Sequence, residues 1–212
     1  MLATTHFQPS PVLRRELAWK GIAQWVLADA GVEEVNGLVK VPYRDRNGET
    51  LYRKVFGQSG SWYEPGGIDL VPYGIGWLPS SPWIAARSVL LICEGESDSL
   101  ATRQHYPAMF VLGLPGACAW RSEWAGYLLP FRVILIAGDG DEPGRAMGWL
   151  VRKDVPHVRI VNLPAGEDVR SLLQRDGRDG LDPYLAQATL DAHLAWALRK
   201  ATTLTEFEAL LS

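Results

Sequence analysis

The stretch Val133-Ile134-Leu135-Ile136-Ala137-Gly138-Asp139-Gly140-Asp141-Glu142-Pro143-Gly144-Arg145 decides the fold of this chain. Its five apolar residues, closed by a glycine, predict a strand that is buried on both faces, as in parallel sheets covered by helices. A helix-compatible run begins at Arg145. Ligands of open α/β sheets bind outside the carboxyl ends of the strands. Asp139 and Asp141, which follow this strand, are therefore candidates for a functional site.

The Asp-Gly-Asp step has an ordinary alternative, because Asp-Gly is a strong hairpin signal and aspartate favours turns. A second strand with an acidic end, residues 89–93 followed by Glu94, favours a functional site. Glu94 lies where a buried strand meets a glycine turn, and a carboxylate in that position needs a partner. If the two strands are neighbours in a parallel sheet, Glu94, Asp139 and Asp141 converge at one edge.

Converging carboxylates require a compensating charge. Two like charges about 4 Å apart repel by roughly 4 kcal/mol at an effective dielectric constant near 20, so the cluster needs a cation or a shared proton. Carboxylate oxygens with no histidine or cysteine nearby in the sequence suit Mg²⁺ or Mn²⁺ better than Zn²⁺. The sequence therefore predicts a site for a hard divalent cation at Glu94, Asp139 and Asp141.

The region around these strands alternates between strands and helices, which predicts a parallel sheet with helices on both faces. The expected strands are residues 89–93, 110–112, 131–137 and 158–163, with helices after each of them. The fold class expected from this alternation is α/β.

Three motifs at the ends of these strands resemble the TOPRIM domain: Glu94-Gly95, then Gly113-Leu114-Pro115-Gly116, then the run from Asp139 to Gly144. That domain is shared by bacterial-type DNA primases, type IA and type II topoisomerases, some nucleases and recombination-repair proteins. The glycine at position 144, with a helix beginning there, is most similar to the primase branch. The resemblance covers about residues 88–176 and implies a Rossmann-like TOPRIM sheet.

The resemblance also bears on acidic residues outside the three motifs. Asp168 reads as an ordinary residue at a helix N-terminus, but in primase-type TOPRIM domains an aspartate in this position lies close to the metal, so Asp168 is a further candidate ligand. We expect Asp98 to act first as a helix cap and second as a carboxylate outside the metal ligands. Glu96 is expected either to face solvent or to assist the metal.

Three parts of the chain are predicted. Residues 1–84 form a small α+β subdomain with an N-terminal helix and a basic β-hairpin, residues 85–178 form the TOPRIM domain, and residues 179–212 form a C-terminal helical segment. The first helix is expected to run from Ser10 to about Ala30 and to end at Gly31. Residues 57–83, rich in glycine, proline and aromatic residues, are expected to form a surface loop.

The hairpin is predicted from two signals in residues 37–56: a tight Asn47-Gly48 turn and flanks that alternate in the strand manner. Arg44, Arg53 and Lys54 concentrate positive charge on it. A solvated hairpin face is the ordinary interpretation. The segment also resembles the basic subdomain that precedes TOPRIM in primase catalytic cores, which implies that these three residues contact nucleotide triphosphate or template phosphates.

Composition describes a globular chain of 212 residues, 47% hydrophobic, with a net charge of −3, so any nucleic-acid surface must be a local basic patch. The two cysteines, Cys93 and Cys118, are expected to be buried free thiols, and they are too few for a four-cysteine zinc module. No apolar stretch reaches membrane length and no secretory signal begins the chain. We therefore expect a cytoplasmic protein with no membrane partner.

The resemblance implies a primase-like nucleotidyltransferase that makes short RNA primers on single-stranded DNA. Glu94, Asp139 and Asp141 would hold one or two Mg²⁺ (or Mn²⁺) ions, and Glu94 would also act as general base. The expected partners are the single-stranded DNA template and ribonucleoside triphosphates. Full-length primases usually carry a zinc module and a helicase part, which this sequence lacks. A replicative helicase or a zinc-module protein of a phage or plasmid is therefore expected to complete the system.

Two other functions remain open at this point. A metal-dependent TOPRIM nuclease would use the same carboxylates to activate water in place of a 3′-hydroxyl. A non-catalytic nucleic-acid or partner-binding module would keep the fold without turnover. A topoisomerase is disfavoured, because the chain is short for a strand-passage architecture.

Overall fold

A computed structural model describes residues 21–200 of the chain, with side chains as far as residue 190. The elements, in chain order, are α1 (Gln24–Ala30), β1 (Glu33–Val35), β2 (Leu38–Arg44), β3 (Thr50–Gly57), β4 (Gly60–Glu64), α2 (Pro82–Ala85), β5 (Val89–Glu94), α3 (Glu96–His105), β6 (Phe110–Leu114), α4 (Ala125–Leu128), β7 (Val133–Ala137), α5 (Glu142–Asp154), β8 (Arg159–Ile160), α6 (Val169–Asp176) and α7 (Arg178–Lys200). The strands form two separate sheets of four, one antiparallel and one parallel.

The parallel sheet has the strand order β6-β5-β7-β8, which confirms the predicted α/β architecture. Its two central strands are the apolar runs found in the sequence, and their inner residues are fully buried, as expected for strands covered on both faces. Cys93 pairs with Ala137, so β5 and β7 end side by side. The fourth strand is shorter than predicted, because only Arg159–Ile160 pairs with β7.

Helices cover both faces of the parallel sheet, as the alternation predicted. One face packs against Met147 and Val151 of α5 and Leu128 of α4. The other face packs against Leu172 of α6 and Leu181 of α7. Two hydrophobic cores therefore hold the parallel sheet between layers of helices.

The antiparallel sheet contains the predicted hairpin, formed by β2 and β3. Gly48 adopts a φ of 86°, and the Asp45 carboxylate accepts the N–H groups of Asn47 and Glu49 at 2.9 Å, which closes the turn. The loop predicted over residues 57–83 is wrong at Gly60–Glu64, which forms β4 and pairs with β3. Glycines at both ends of a short turn, followed by strand-forming aromatic residues, were the signal for this second hairpin.

The N-terminal helix differs from its predicted extent. Residues 21–23 are not helical, and Gly21, with a φ of 63°, lies just before α1. The expected start at Ser10 lies outside the described residues. The predicted end is confirmed, because Gly31 takes the left-handed conformation that closes a helix.

The two sheets share packing and hydrogen bonds. Leu100 of α3 joins the core formed by α1 and the antiparallel sheet, where it packs with Tyr43, Tyr52 and Tyr73. Tyr73 also exchanges two backbone hydrogen bonds with Gly113 of β6, at 2.7 and 2.9 Å. These contacts fix the basic hairpin relative to the parallel sheet.

The C-terminal helix and the exposure of the two cysteines were also predicted from the sequence. The predicted C-terminal helical segment forms α7 as far as Lys200, whereas residues 201–212 lie outside the described residues. Both cysteines are free, but only Cys93 is buried, and the expectation for Cys118 is wrong because its loop leaves it exposed. None of the described helices combines the length and the apolar character that a membrane crossing requires.

Gly113 provides a test of how α3 is seated on the sheet. A Cβ at this position would lie 2.4 Å from the Gly95 carbonyl oxygen and 2.7 Å from Ser99 Oγ. We expect Gly113→Ala to lower the free energy of unfolding by about 1–3 kcal/mol and the melting temperature by about 3–10 °C. Gly126→Ala is the control, because a Cβ there meets nothing within 4 Å. Equal melting temperatures of the two variants in thermal unfolding would contradict this packing.

Candidate active site

The candidate site lies where β5 and β7 end. Glu94 is the last residue of β5, and a backbone hydrogen bond from Asp139 reaches its carboxylate. A second backbone hydrogen bond to Glu94 comes from Ala117, in the loop after β6. The pairing of the two central strands therefore brings Glu94 beside Asp139, as the sequence predicted for neighbouring strands.

Glycines hold the loop between β7 and α5 in contact with itself and with the loop before α6. A Cβ at Gly144 would lie 2.1 Å from the Asp139 carbonyl oxygen, and one at Gly140 would lie 1.8 Å from the Pro164 carbonyl oxygen. The Gly140 N–H donates to the Glu167 carbonyl at 2.7 Å. Side chains larger than hydrogen do not fit at either glycine, so the positions of the two aspartates depend on both.

Asp141 and Asp168 are each the N-cap of a helix. Asp141 Oδ1 accepts the Gly144 N–H at 2.8 Å and begins α5. Asp168 forms a capping box with Ser171 at the start of α6, and its Oδ2 also accepts from Arg170 Nη2 at 2.7 Å. Within the described part of the chain, capping leaves Asp141 one oxygen without a donor, whereas both oxygens of Asp168 have donors.

Burial and mutual repulsion raise the pKa of the central carboxylates. Burial is the largest cause of the raised pKa of Glu94, and the charge of Asp141 adds to it. The pKa of Asp139 rises to about 6, first through burial and then through the charges of Glu94, Asp168 and Asp141. Arg170 opposes this rise. Glu94 Oε2 is buried and has no hydrogen-bond partner within residues 21–190. The site therefore carries an uncompensated negative potential.

Asp98 lies behind this cluster and does not cap α3, so that part of its prediction is wrong. Gly95 is the N-cap of α3, while Asp98 is 4% exposed and accepts the Arg170 N–H at 3.0 Å. Burial raises its pKa well above the ordinary value, and the charges of Asp168 and Asp139 add to the rise. Asp98 thus links α3 to α6 next to the carboxylate cluster.

The donor set fits a hard divalent cation that is completed by other ligands. In residues 21–190, no group of three histidine, cysteine, aspartate or glutamate side chains is arranged to hold a metal ion by itself. Mg²⁺ usually keeps several waters and is held by one or two carboxylates together with substrate phosphates. The orphaned Glu94 oxygen and the mutual repulsion with Asp139 and Asp141 are consistent with such a site.

The structure separates the three basic residues that were predicted to act together. Arg53 and Lys54 are consecutive on β3 and therefore point to opposite faces of the sheet. The guanidinium of Arg44, a residue of β2, lies at the C-terminal end of α1. A Cβ placed on Gly31 would be 2.1 Å from Arg44 Nη2. A guanidinium in this position interacts favourably with the helix dipole.

Lys54 reaches towards the parallel sheet and binds Glu96. Its Nζ atom lies 2.9 Å from Glu96 Oε1, and the two side chains are 18% and 9% exposed. Glu96 also accepts a hydrogen bond from Tyr43, so the expectation that it faces solvent is wrong. The cause is the position of the antiparallel sheet, which brings Tyr43 of β2 and Lys54 of β3 to the first residue of α3.

Arg145 is a candidate site residue to which the sequence assigned no role. It lies in the first turn of α5, and its Nη1 donates to the Gly140 carbonyl at 3.2 Å, between Asp139 and Asp141. In residues 21–190 it has no carboxylate partner within salt-bridge distance. The sequence feature that could have identified Arg145 is its spacing, four residues after the N-capping Asp141. That spacing places the side chain on the same helix face as the N-cap.

Part of the chain is similar in sequence to a phage protein. No protein-family model matches the sequence. The Gene 57 protein of Mycobacterium phage D29 is 37% identical over 92 residues, which are 43% of this chain and 59% of that protein. The match thus spans less than two thirds of the phage protein.

Solved structures of primase cores superpose on most of the chain. The primase fragment of the bacteriophage T7 primase-helicase protein gives a TM-score of 0.68 at 22% identity, covering 80% of this chain and 73% of that one. A primase domain from Pseudomonas aeruginosa gives 0.66 at 18% identity, covering 93% and 79%. The DnaG primase catalytic domain bound to ssDNA gives 0.65 at 16% identity, covering 96% and 84%.

The fold is therefore a TOPRIM-type α/β fold. More narrowly, the chain has the architecture of the catalytic core of bacterial and phage DNA primases, which confirms the resemblance found in the sequence.

Asp139 provides a test of whether the negative charge of the carboxylate cluster lowers the stability of the folded protein. Its pKa is higher in the folded protein than in the unfolded chain, so the folded state binds more protons between about pH 4 and pH 6. The free energy of unfolding therefore falls as pH rises through this range and stays lower above it. We expect Asp139→Asn, without divalent metal at pH 8, to stabilise by about 1 kcal/mol after allowance for solvent screening and to raise the melting temperature by about 2–4 °C.

The stabilisation should shrink as the pH falls below 6 and disappear near pH 3, where the aspartate is mostly protonated in both states. Asp179→Asn, at the exposed start of α7, is the control and should show no pH-dependent gain. Identical melting of Asp139→Asn and the unmodified protein at pH 8, in the presence of a chelator, would contradict the charge balance described for this site.

Proposed function

We propose that this protein is a primase-like nucleotidyltransferase that joins ribonucleoside triphosphates into short RNA primers on single-stranded DNA. The observation that carries the proposal is the placement of Glu94, Asp139 and Asp141 at the ends of two paired strands within a primase-core fold. The related core that binds ssDNA, and the T7 primase domains bound to an RNA/DNA hybrid, support the same substrates here.

Mg²⁺ or Mn²⁺ is the proposed cofactor, with Glu94, Asp139 and Asp141 as its ligands and Asp168 near it. When bound, the ion would acidify the attacking 3′-hydroxyl and balance charge on the phosphates. Asp168 contributes less directly, because capping and Arg170 occupy its oxygens. The raised pKa of Asp139 and the orphaned oxygen of Glu94 support this assignment.

The chain itself supplies a base and several cations. Glu94 would accept the proton of the 3′-hydroxyl through Oε2, which is buried and has no hydrogen-bond partner among the described residues. The new bond joins the 3′-oxygen to the α-phosphorus, and the bond to pyrophosphate breaks. Lys54 and Arg145 would bind the triphosphate, and Arg44 and Arg53 are proposed contacts to template phosphates.

A replicative helicase or a zinc-module protein is the proposed partner. The T7 relative is a primase-helicase, and a solved Aquifex aeolicus primase contains zinc-binding and RNA polymerase domains. The two cysteines of this chain are too few for a four-cysteine zinc module. We propose that a partner protein provides the zinc module, and that the protein works in the cytoplasm because its role is in replication.

Primer synthesis is the direct test. We expect the purified chain, with single-stranded DNA, labelled ribonucleotides and Mg²⁺ or Mn²⁺, to form short labelled products separable by gel electrophoresis. Asp139→Ala combined with Asp141→Ala should reduce the rate at least about 100-fold, because the electrostatic stabilisation at the reacting phosphate is lost. Asp179→Ala is the matched control.

Two results would oppose the proposal. DNA shortening that the double variant abolishes would identify a nuclease that uses the same carboxylates. DNA binding that persists without metal and gives no product would identify a non-catalytic binding module.

Arg145 should contribute to nucleotide binding. We expect Arg145→Ala to raise the KM for ribonucleoside triphosphates about 10- to 100-fold, because a charge-assisted hydrogen bond to phosphate is worth about 1.5–3 kcal/mol. Arg152→Ala on the same helix is the control, since that guanidinium lies over the Trp149 ring, 5.5 Å from its centroid. An unchanged KM for Arg145→Ala would remove Arg145 from the site.

A further inference from the structure

Glu96 joins the two sheets through buried polar contacts. It begins α3, two residues after Glu94, and accepts a hydrogen bond from Tyr43 of β2. Lys54 Nζ lies 2.9 Å from Glu96 Oε1 and 3.1 Å from Oε2. The carboxylate therefore holds an ammonium from the antiparallel sheet at the first residue of α3, two residues after Glu94 in the chain.

Aromatic rings restrict the same ammonium from other directions. Lys54 Nζ lies 5.4 Å from the centroid of the Phe56 ring and 5.8 Å from that of Tyr63. Tyr43 is fully buried and stacks on Tyr52, with 4.7 Å between their centroids, so the hydroxyl that donates to Glu96 is itself fixed. A lysine normally samples many rotamers, and this surrounding leaves it few.

Stability alone does not explain an ion pair in this position. Replacing a buried ion pair with apolar residues of similar volume is often neutral or stabilising, whereas removing one partner is costly. The surrounding tyrosines and Phe56 would accommodate an apolar pair. A lysine held in one place, with 18% of its side chain still exposed, is suited to binding an anion.

The anion follows from the proposed function, on which this inference rests. A ribonucleoside triphosphate brings several negative charges to an edge that already carries Glu94, Asp139 and Asp141. Positive groups of the chain must balance the negative charge of the triphosphate that the metal ion leaves uncompensated. Lys54 has three N–H donors, and Glu96 presents only two oxygens to it, so a donor remains for a phosphate oxygen.

We infer that Glu96 is a positioning residue that orients the Lys54 ammonium for the phosphates of the incoming nucleotide. Glu96 does not touch the nucleotide, and its effect passes through Lys54. Its position at the N-terminus of α3 suits a negative charge, because the helix dipole stabilises carboxylates there. Tyr43 completes the arrangement by fixing the carboxylate that Lys54 binds.

The test compares Glu96→Gln, Lys54→Met and the double variant. The measurements are the Kd for a labelled ribonucleoside triphosphate in Mg²⁺, and the KM and kcat of primer synthesis. Positioning predicts that Glu96→Gln and Lys54→Met each raise Kd and KM about tenfold, with kcat within about twofold, as expected for lost ground-state binding. The double variant should bind no more weakly than Lys54→Met, because Glu96 acts through Lys54.

The matched control is the Lys40 and Glu64 pair of the same sheet, with 2.6 Å between Nζ and Oε2. Lys40→Met with Glu64→Gln should leave Kd within about twofold. Thermal unfolding of every variant separates weakened binding from loss of fold. If Lys54→Met is too unstable to assay, Lys54→Gln keeps a polar group opposite Glu96 and carries the same expectation.

Three results would overturn the inference. Tighter nucleotide binding by Glu96→Gln would mean that the carboxylate masks Lys54 and does not position it. An unchanged Kd would make Glu96 purely structural. A further loss in the double variant beyond Lys54→Met would show that Glu96 acts on its own.

Failure of the proposed function gives a different pattern. An unmodified protein that binds triphosphate but makes no primer would overturn primer synthesis, while the Kd series would still decide the role of Glu96. An unmodified protein that binds no triphosphate would overturn both.

Discussion

The side-by-side ending of β5 and β7 is the constraint on which the rest of the site depends. Both strands are apolar and buried on both faces, so hydrophobic burial fixes their pairing, and the pairing fixes where the next residues go. Glu94 and Asp139 are then forced together, although their charges repel. Burial energy of the core holds the carboxylates in an arrangement that they would not adopt alone, as is common where charges cluster at functional sites.

The loops that follow these strands show how tightly the arrangement is specified. Gly140 and Gly144 allow backbone contacts that leave no space for a Cβ, and Asp141 then begins α5 as its N-cap. The Asp141 side chain therefore ends a loop, begins a helix and still presents an oxygen to the site. Asp168 likewise ends a loop and begins α6, but its two oxygens already accept from the Ser171 N–H and from Arg170. The two N-capping aspartates thus differ in how much charge they have left to offer.

The antiparallel sheet is joined to α3, the helix that follows β5, through polar as well as apolar contacts. Tyr43 and Lys54 both bind Glu96, and Leu100 of the same helix packs into the core of the hairpin subdomain. A basic hairpin that could otherwise sit anywhere on the surface is thereby held next to the carboxylates. Through this joint a chain with a net charge of −3 places the Lys54 ammonium beside the first helix that follows β5.

The sequence by itself determined the parallel sheet, the hairpin at Asn47-Gly48 and the convergence of Glu94 with Asp139. Each of these depends on local periodicity, on turn chemistry or on a strand end, and such signals lie within a few neighbouring residues. Only the tertiary structure decided the surroundings of Glu96, Arg53 and Arg145. Whether a charged side chain is buried, paired or free depends on which distant element covers it, and β3 covers Glu96 from more than forty residues away in the chain. Local patterns do not carry that information, because the partner is chosen by packing between the two sheets.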